Sequence, residues 1–264
     1  MSRRVQARPP LLVVVVAVVA LAFFALPLAG ILERTDWANL WTDLRSRDAS
    51  EALRLSLFSS LTSAALAVLF GIPLAWALAR TEIPGRGLLR GLVLLPMVLP
   101  PVVGGVALLQ VFSLDSPIGG WFHDTLGIQF TFHFAGVVLA ETFVAMPFFV
   151  ITVEAALRNV DQGYEQVAAS LGASRATVFR RVTLPLIGPS VAAGAVLAWA
   201  RALGEFGATI TFAGNIVGRT QTLPLAIYLK FESKPDEAVA LSLVLLVVSF
   251  VVLASLRDKW LVRA

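Results

Sequence analysis

The 264-residue sequence contains no cysteine, and this absence excludes several kinds of chemistry at once. Disulfide bonds, thiolate nucleophiles, iron–sulfur clusters and cysteine zinc sites all require a thiol. Charged residues are also scarce, at 14% of the chain, whereas 58% of the residues are hydrophobic. So few charged residues could not cover the exterior of a water-soluble fold, so a lipid bilayer must act as the solvent.

The common motifs for nucleotide and metal binding are missing as well. There is no Gly-x-x-x-x-Gly-Lys-Ser/Thr phosphate loop, and the only lysines, Lys230, Lys234 and Lys259, stand outside glycine-rich turns. His123 and His133 lack the His-Glu-x-x-His spacing with which a helix aims two imidazoles at one metal ion. We therefore expect this chain to bind no metal, no cofactor and no ATP through such motifs.

Six predominantly apolar runs are long enough for transmembrane helices, which need about 20 residues each. The first run is too long for a signal peptide and no clear Ala-x-Ala site follows it, so we expect an uncleaved helix. The third is rich in proline and glycine, which would leave backbone groups unpaired in lipid, so it should face protein or a pathway. The predicted spans are Leu11 to Leu32, Leu53 to Ala79, Gly91 to Leu114, Phe134 to Leu157, Pro185 to Leu203 and Ala238 to Leu256.

Lysine and arginine are enriched in the cytoplasmic loops of membrane proteins, so their distribution predicts the orientation of this chain in the membrane. With the N-terminus inside, the cytoplasmic segments hold Arg3, Arg4, Arg8, Arg80, Arg86, Arg90, Arg158, Arg175, Arg180, Arg181, Arg257, Lys259 and Arg263. The outer segments hold only Arg34, Arg45, Arg47, Arg219, Lys230 and Lys234. Both termini are therefore predicted to be cytoplasmic. The same pattern explains the net charge of +4 without a nucleic-acid partner.

Ionisable residues at two places in the predicted spans bear on function. Glu141 interrupts the fourth span, where a carboxylate costs roughly 3 kcal/mol on insertion scales. It could be a proton relay, or a protonated or hydrogen-bonded glutamate between packed helices. Arg201 and Glu205 lie four residues apart near the outer end of the fifth span, where a helix lets them pair. Arg201 could instead meet a permeating anion or snorkel at the helix end.

The segment between the fourth and fifth spans, EQVAASLGASRATVFRRVTLP from Glu165 to Pro185, predicts a cytoplasmic helix–turn–helix. An apolar stripe on its first helix would consist of Tyr164, Val167, Ala168 and Leu171. Gly172 can end this helix, and Ser174 can cap the second one. The residues alone leave open an amphipathic hairpin on lipid headgroups and a short helix that docks into a groove of a soluble partner.

This loop resembles the cytoplasmic signature loop of binding-protein-dependent ABC importer permeases. The family pattern is Glu-Ala-Ala, three residues, Gly, nine residues, an aliphatic residue, then x-Leu-Pro. The matching positions are Gln166, Val167, Ala168, Gly172, Val182, Leu184 and Pro185. The spacing is intact, although Gln166 replaces Glu and Val167 replaces Ala, while Glu165 supplies a carboxylate one position earlier.

In such permeases the signature loop forms the coupling helix that seats on the ATPase subunit. The resemblance therefore implies that a separate chain hydrolyses ATP and that this chain is not an enzyme by itself. It also implies one permease domain over residues 1–264, with a cytoplasmic coupling loop at 158–184. The implied coupling residues are Glu165, Gln166, Val167, Ala168, Ala169, Leu171, Gly172, Ala173 and Ser174.

Further resemblance extends over nearly the whole sequence. The segments LLPMVLPPVVGG (94–105), RALGEFGATITFAGN (201–215) and GRTQTLPLAIY (218–228) look like those of molybdate permease subunits. Sulfate permeases share the Gly-Glu-Phe-Gly core, but the runs ATITFAGN (208–215) and TLPLAIY (222–228) match the molybdate pattern better, and the second run is the more telling. Tungstate and molybdate are not separated by sequence.

This resemblance implies an all-α polytopic membrane protein with six transmembrane helices and the ABC importer permease (MetI-like) fold. It further implies a homodimer in the cell membrane, with two ABC ATPase subunits inside and one periplasmic or extracellular molybdate-binding protein outside. The substrate path would include Arg201, Glu205, Thr209 and Thr211, since hydrogen-bond donors and helix N-termini stabilise a dianion more cheaply than buried cations. A proton-driven transporter that uses Glu141 and an intramembrane hydrolase are the rival interpretations, and neither explains the signature loop.

Overall fold

The computed structural model describes residues 10–260, and all regular secondary structure in that range is helical, as expected for an all-α chain. Four arginines used in the orientation argument, Arg3, Arg4, Arg8 and Arg263, lie outside the described residues. The helices are α1 (Leu11–Arg34), α2 (Leu40–Leu44), α3 (Arg47–Arg80), α4 (Arg86–Val98), α5 (Pro101–Phe112), α6 (Pro117–Leu126), α7 (Phe134–Asn159), α8 (Gly163–Ser170), α9 (Arg175–Val178), α10 (Leu184–Leu203), α11 (Gly207–Phe212), α12 (Leu223–Ser233) and α13 (Pro235–Trp260). A π-helical segment, Phe179–Thr183, joins α9 to α10.

Within the described part of the chain, five helical stretches are long and apolar enough to cross a bilayer, and a bent pair can form a sixth crossing. The five are α1, α3, α7, the continuous helical run Arg175–Leu203 that ends with α10, and α13 as far as Val252. The chain is therefore a multi-pass membrane protein. The predicted count of six holds when the bent pair is counted as one crossing.

The bent pair is a correction to the predicted span Gly91 to Leu114. This segment consists of two helices, α4 and α5, and the direction of the chain bends by 117° between them. Leu99 and Pro100 have extended backbone angles, because a residue before proline is driven out of the helical region, and Pro101 then begins α5. The predicted span is therefore a broken one, with its break at the prolines 100 and 101.

Three helices, α3, α7 and α10, form the centre of the bundle. The buried face of α3 consists almost entirely of small residues, namely Ala49, Ala52, Ser56, Ser59, Ser60, Ser63, Ala64, Ala67, Gly71 and Ala75. Small residues let helix backbones approach closely, which matters in lipid because apolar burial drives little association between helices there.

The ring of Phe149 on α7 fills the space between α3 and α10. A Cβ atom added at Gly71 would lie 2.5 Å from Phe149 Cδ1, and one added at Gly194 would lie 3.2 Å from Cδ2. The fully buried ring therefore contacts the backbone of both neighbours. A side chain at position 71 would force the Phe149 ring or the helices to shift, and one at position 194 would meet the ring at an unusually tight distance.

A second close approach joins α5 to α11. A Cβ atom at Gly105 would lie 2.8 Å from both the carbonyl oxygen of Ala208 and the Cβ of Thr211. The apolar residues around this contact, Leu108, Ala140, Val144, Ala208 and Phe212, form a buried cluster with α7. The glycine-rich face of α5 thus packs on protein, as the sequence predicted for this segment.

Glu141 lies buried between α3 and α7, where both of its carboxylate oxygens accept hydrogen bonds. Ser59 Oγ donates to Oε1 over 2.7 Å, and Ser63 Oγ donates to Oε2 over 3.0 Å. The two serines belong to the small-residue face of α3. This is the arrangement expected of a hydrogen-bonded glutamate that links packed helices.

The serine contacts predict opposite outcomes for two substitutions of Glu141. Glu141→Gln retains an acceptor and should keep both thermal stability and transport within a few-fold of the wild type. Glu141→Leu removes both hydrogen bonds that the carboxylate accepts from α3, leaving Ser59 and Ser63 only the carbonyls of Ser56 and Val138 at 3.3 and 3.1 Å, and should cost about 1–3 kcal/mol of stability. Thermal unfolding of the purified protein measures the second effect. Loss of transport in a stable Glu141→Gln protein would favour the proton-relay interpretation instead.

Candidate functional site

The predicted helix–turn–helix is present as α8 and α9, and residues 163–178 are called the hairpin below. Gly172 has a φ of +85°, a conformation that glycine adopts without steric cost. Its amide donates to the Ala169 carbonyl over 3.0 Å, and the Ala173 amide donates to the Ala168 carbonyl over 3.1 Å. Ser174 Oγ caps α9 by accepting from the Thr177 amide at 3.3 Å. The predicted turn and cap are therefore confirmed.

The apolar stripe of the hairpin is exposed. Tyr164 and Val167 are each 61% exposed, and Leu171 is 83% exposed. Three large apolar side chains on one short helix require cover from lipid or from another protein. The hairpin thus offers a docking surface whose two possible occupants are those left open by the sequence.

Glu165 ties the hairpin to the helix bundle. Its Oε1 accepts a hydrogen bond from Thr183 Oγ1 over 2.9 Å and from Arg80 Nη2 over 3.3 Å. The same Arg80 nitrogen lies 3.2 Å from the Val160 carbonyl oxygen, and the Arg80 side chain is only 7% exposed. One carboxylate therefore connects α8 to the end of α3 and to the start of the α10 crossing. Sequence reasoning grouped Glu165 with the docking residues and gave Arg80 no role beyond orientation.

Sequence reasoning missed Glu154, a buried carboxylate on this side of the bundle. Glu154 on α7 is 1% exposed and forms ion pairs with Arg158 at 2.5 Å and with Arg90 on α4 at 3.3 Å. The four-residue spacing of Glu154 and Arg158 was a usable signal. No sequence pattern indicated the ion pair between Glu154 and Arg90 on α4.

Arg201 and Glu205 form the predicted ion pair, with Arg201 Nη1 2.7 Å from Glu205 Oε2. The other oxygen of Glu205 accepts from the Ala208 amide over 2.8 Å, in the first turn of α11. Glu205 is 1% exposed, whereas Arg201 is 28% exposed. The pair therefore joins the end of α10 to the beginning of α11, and both carboxylate oxygens have partners.

The two threonines of the predicted substrate path differ in their surroundings. Thr211 Oγ1 donates to the Gly207 carbonyl of its own helix over 2.6 Å, next to the α5 contact at Gly105. Thr209 is fully buried, and its hydroxyl has no hydrogen-bond partner within residues 10–260. Of the predicted path residues, Thr209 thus keeps an unused donor, while the groups of Arg201, Glu205 and Thr211 are already engaged.

Metal-ligand side chains do not converge in the described part of the chain. Among residues 10–260, no three His, Cys, Asp or Glu side chains lie close enough together to hold a metal ion. His123 lies on α6, and His133 Nδ1 is 3.0 Å from the Thr131 carbonyl oxygen just before α7.

Comparison with known proteins shows similarity to permease subunits of transport systems. The chain is 50% identical to the molybdenum transport system permease protein ModB of Mycobacterium tuberculosis over 238 residues, which cover 89% of each chain. It is 35% identical to the sulfate transport system permease protein CysT of Escherichia coli over 236 residues, 88% of this chain and 85% of the relative. The solved structure of a bacterial alginate ABC transporter, in complex with its alginate-bound periplasmic protein, includes a chain with the same fold. Its TM-score is 0.74 at 18% identity, covering 93% of this chain and 91% of the other.

The family assignment follows from these similarities. Residues 67–264 match the family described as the binding-protein-dependent transport system inner membrane component. This match covers most of the chain, including α7, the hairpin and α10. The chain therefore belongs to the binding-protein-dependent transport system inner membrane components, and it is a transporter subunit and not an enzyme.

Proposed function

We propose that this chain is the permease of an ATP-driven importer that carries molybdate, or equally tungstate, into the cytoplasm. The observation that carries the proposal is the 50% identity to a molybdenum permease over nearly the whole chain, against 35% to a sulfate permease. ATP is hydrolysed by a separate ATPase chain.

The proposed assembly is a homodimer of this single-domain permease with two ATPase subunits on the cytoplasmic side. A periplasmic or extracellular molybdate-binding protein delivers the anion on the other side, and both termini are cytoplasmic. Supporting this orientation, the hairpin lies at the arginine-rich end of the bundle, beside Arg80 and close in sequence to Arg158, Arg175, Arg180 and Arg181. The alginate transporter that shares the fold is itself bound to a periplasmic protein.

In this assembly, the hairpin is the element that meets the ATPase. Its docking surface consists of Gln166, Val167, Ala168, Ala169, Leu171, Gly172, Ala173 and Ser174, with Glu165 behind them as the anchor to the bundle. ATP binding would draw the two hairpins of the dimer together and convert the permease from inward-facing to outward-facing by rigid-body motion of helices. Because Glu165 contacts Arg80 and Thr183, a displacement of α8 acts directly on α3 and on the α10 crossing.

For the substrate path we propose the segment of Arg201, Glu205, Thr209 and Thr211. The charge of Arg201 is compensated by Glu205, so a passing dianion would not be trapped by an unpaired buried cation. The free hydroxyl of Thr209 can donate one hydrogen bond. Weak contacts of this kind suit a path, because the binding protein supplies the selectivity.

Substrate competition tests the proposed cargo. In vesicles with the reconstituted complex and loaded binding protein, ATP-dependent uptake of labelled molybdate should fall when unlabelled molybdate or tungstate is added. A large excess of sulfate should have little effect. Competition by sulfate as strong as that by molybdate would show a sulfate permease, and uptake that persists on a proton gradient without ATP would show a secondary transporter.

The contacts of Glu165 predict a coupling defect in a protein that is otherwise intact. Glu165→Ala should reduce the stimulation of the ATPase by loaded binding protein about tenfold, since a hydrogen bond to a charged group contributes roughly 1.5–3 kcal/mol. Arg80→Ala should have a similar effect, and the double variant should lose less than the sum of the two single variants, because both remove the contact between Arg80 and Glu165.

The matched control is Glu82→Ala, which removes an exposed carboxylate between α3 and α4 on the same side of the bundle. This variant should retain full stimulation. Equal losses in the Glu82 and Glu165 variants, or additive losses in the Glu165 and Arg80 variants, would contradict a specific anchor.

A further inference from the structure

A basic pocket lies at the end of α3 opposite the hairpin. The helix has 34 residues and is therefore about 51 Å long, so its Arg47 end and its Arg80 end lie far apart. The pocket has a volume of about 620 Å³. Its walls are the first turns of α3, the first residue of α7, and the loop before α12. The charged residues of the lining are Arg47, Arg54, Arg219 and Glu51.

The charges of this pocket are not balanced. Arg47 Nε forms an ion pair with Glu51 Oε1 at 2.8 Å. Neither Arg54 nor Arg219 has a carboxylate partner among the described residues, and both are exposed. Three guanidinium groups and one carboxylate leave a formal excess of two positive charges in one concave site.

Arg54 and the backbone next to Arg219 each have a close neighbour in the pocket. The Arg54 guanidinium lies 5.6 Å from the centroid of the Phe58 ring, at a distance that favours cation–π attraction. Before Arg219, Gly218 has a φ of +72°, and a Cβ there would lie 2.9 Å from Glu51 Oε2. The loop backbone is thus fitted closely against the same carboxylate that binds Arg47.

The loop that carries Arg219 is also fixed to α3. The Arg219 amide donates to the Ile216 carbonyl over 3.0 Å, and Thr220 Oγ1 accepts from the Ile216 amide over 2.9 Å. Farther along, the Leu223 amide donates to Ser56 Oγ over 2.6 Å. The loop that lines the pocket therefore leads into α12, which is bonded to the helix that carries Arg54.

We infer that the pocket of Arg47, Arg54 and Arg219 is a receiving site for a tetrahedral oxyanion with two negative charges, at the outer mouth of the permease. The inference rests on the proposed function and adds a site to it. Planar guanidinium groups match the oxygens of such an anion through paired hydrogen bonds. The excess of two positive charges equals the charge of one dianion. Because the arginines are exposed, water and salt screen the attraction, so the anion is collected there but not retained.

The test uses the reconstituted complex with saturating loaded binding protein. The combined Arg54→Gln and Arg219→Gln variant should take up roughly tenfold less molybdate per ATP hydrolysed at low ionic strength, with a smaller difference at high salt. The half-saturating concentration of binding protein should not change. Replacing the same two residues by lysine should restore much of the uptake, since the charge returns without the planar fork.

The control is Arg45→Gln, which removes an arginine near the same end of the bundle but outside the pocket lining. The Arg45 guanidinium lies 4.6 Å from the centroid of the Trp41 ring. This variant should transport at the wild-type level. Retained stimulation of the ATPase and a normal gel-filtration profile establish that the double variant is folded and assembled.

Three outcomes would refute the proposed receiving site. Uptake by the double variant equal to that of Arg45→Gln would show that the pocket does not receive the anion. A higher half-saturating concentration of binding protein with unchanged maximal uptake would show that the arginines bind carboxylates of that protein instead. A loss that is the same at low and high salt would exclude electrostatic collection. Failure of the wild-type complex to transport molybdate would refute the proposed cargo, and the same comparison made with the oxyanion that is transported would then decide the site.

Discussion

Close packing of α3, α7 and α10 around the ring of Phe149 is the contact on which the rest of the structure depends. Lipid supplies little apolar driving force for helix association, so the helices must gain stability from dense contact. The glycines at 71 and 194 allow this contact by leaving room for the two faces of the ring. The three helices can then move as one body, which a rigid-body transport mechanism requires.

The packed helices also connect the two ends of the molecule. At one end, α3 holds the hairpin through Arg80 and Glu165, and α10 continues directly from the segment that contains Thr183. At the other end, α3 carries Arg54, and α10 leads into Glu205 and α11. In the proposed mechanism, a displacement of the hairpin by a partner would be transmitted along α3 and α10 to the region proposed to handle the anion.

Each buried carboxylate has polar or charged neighbours, although Glu154 Oε2 has an ion pair and no hydrogen bond. Glu141 accepts from two serines, Glu154 pairs with two arginines, and Glu205 pairs with Arg201 and an amide of α11. Such compensation is what makes ionisable groups tolerable in a membrane-spanning domain. It also leaves the protein with little exposed negative charge along the proposed path, which suits an anionic cargo.

Features that depend on short spacing were predictable from the sequence. The helical class, the turn at Gly172, the cap at Ser174 and the Arg201–Glu205 pair all involve residues within one or two helical turns. Contacts between distant residues were not, since Glu141 meets Ser59 across 82 positions and Arg80 meets Glu165 across 85. The prolines at 100 and 101 indicated a disturbed helix, but the 117° bend depends on how α5 packs on α11. The role of the hairpin came from its resemblance to a known family.

We propose that the hairpin, and no other face of this chain, seats on a separate ATPase. Because the chain has no cysteine, a single cysteine can be introduced at Leu171 or at Arg54 and labelled with a photoreactive benzophenone maleimide. In the purified complex, the Leu171→Cys protein should cross-link to the ATPase subunit upon illumination, and the Arg54→Cys protein should not. A cross-link to the ATPase from position 54, or its absence at position 171 in a complex that still hydrolyses ATP and transports, would contradict the account.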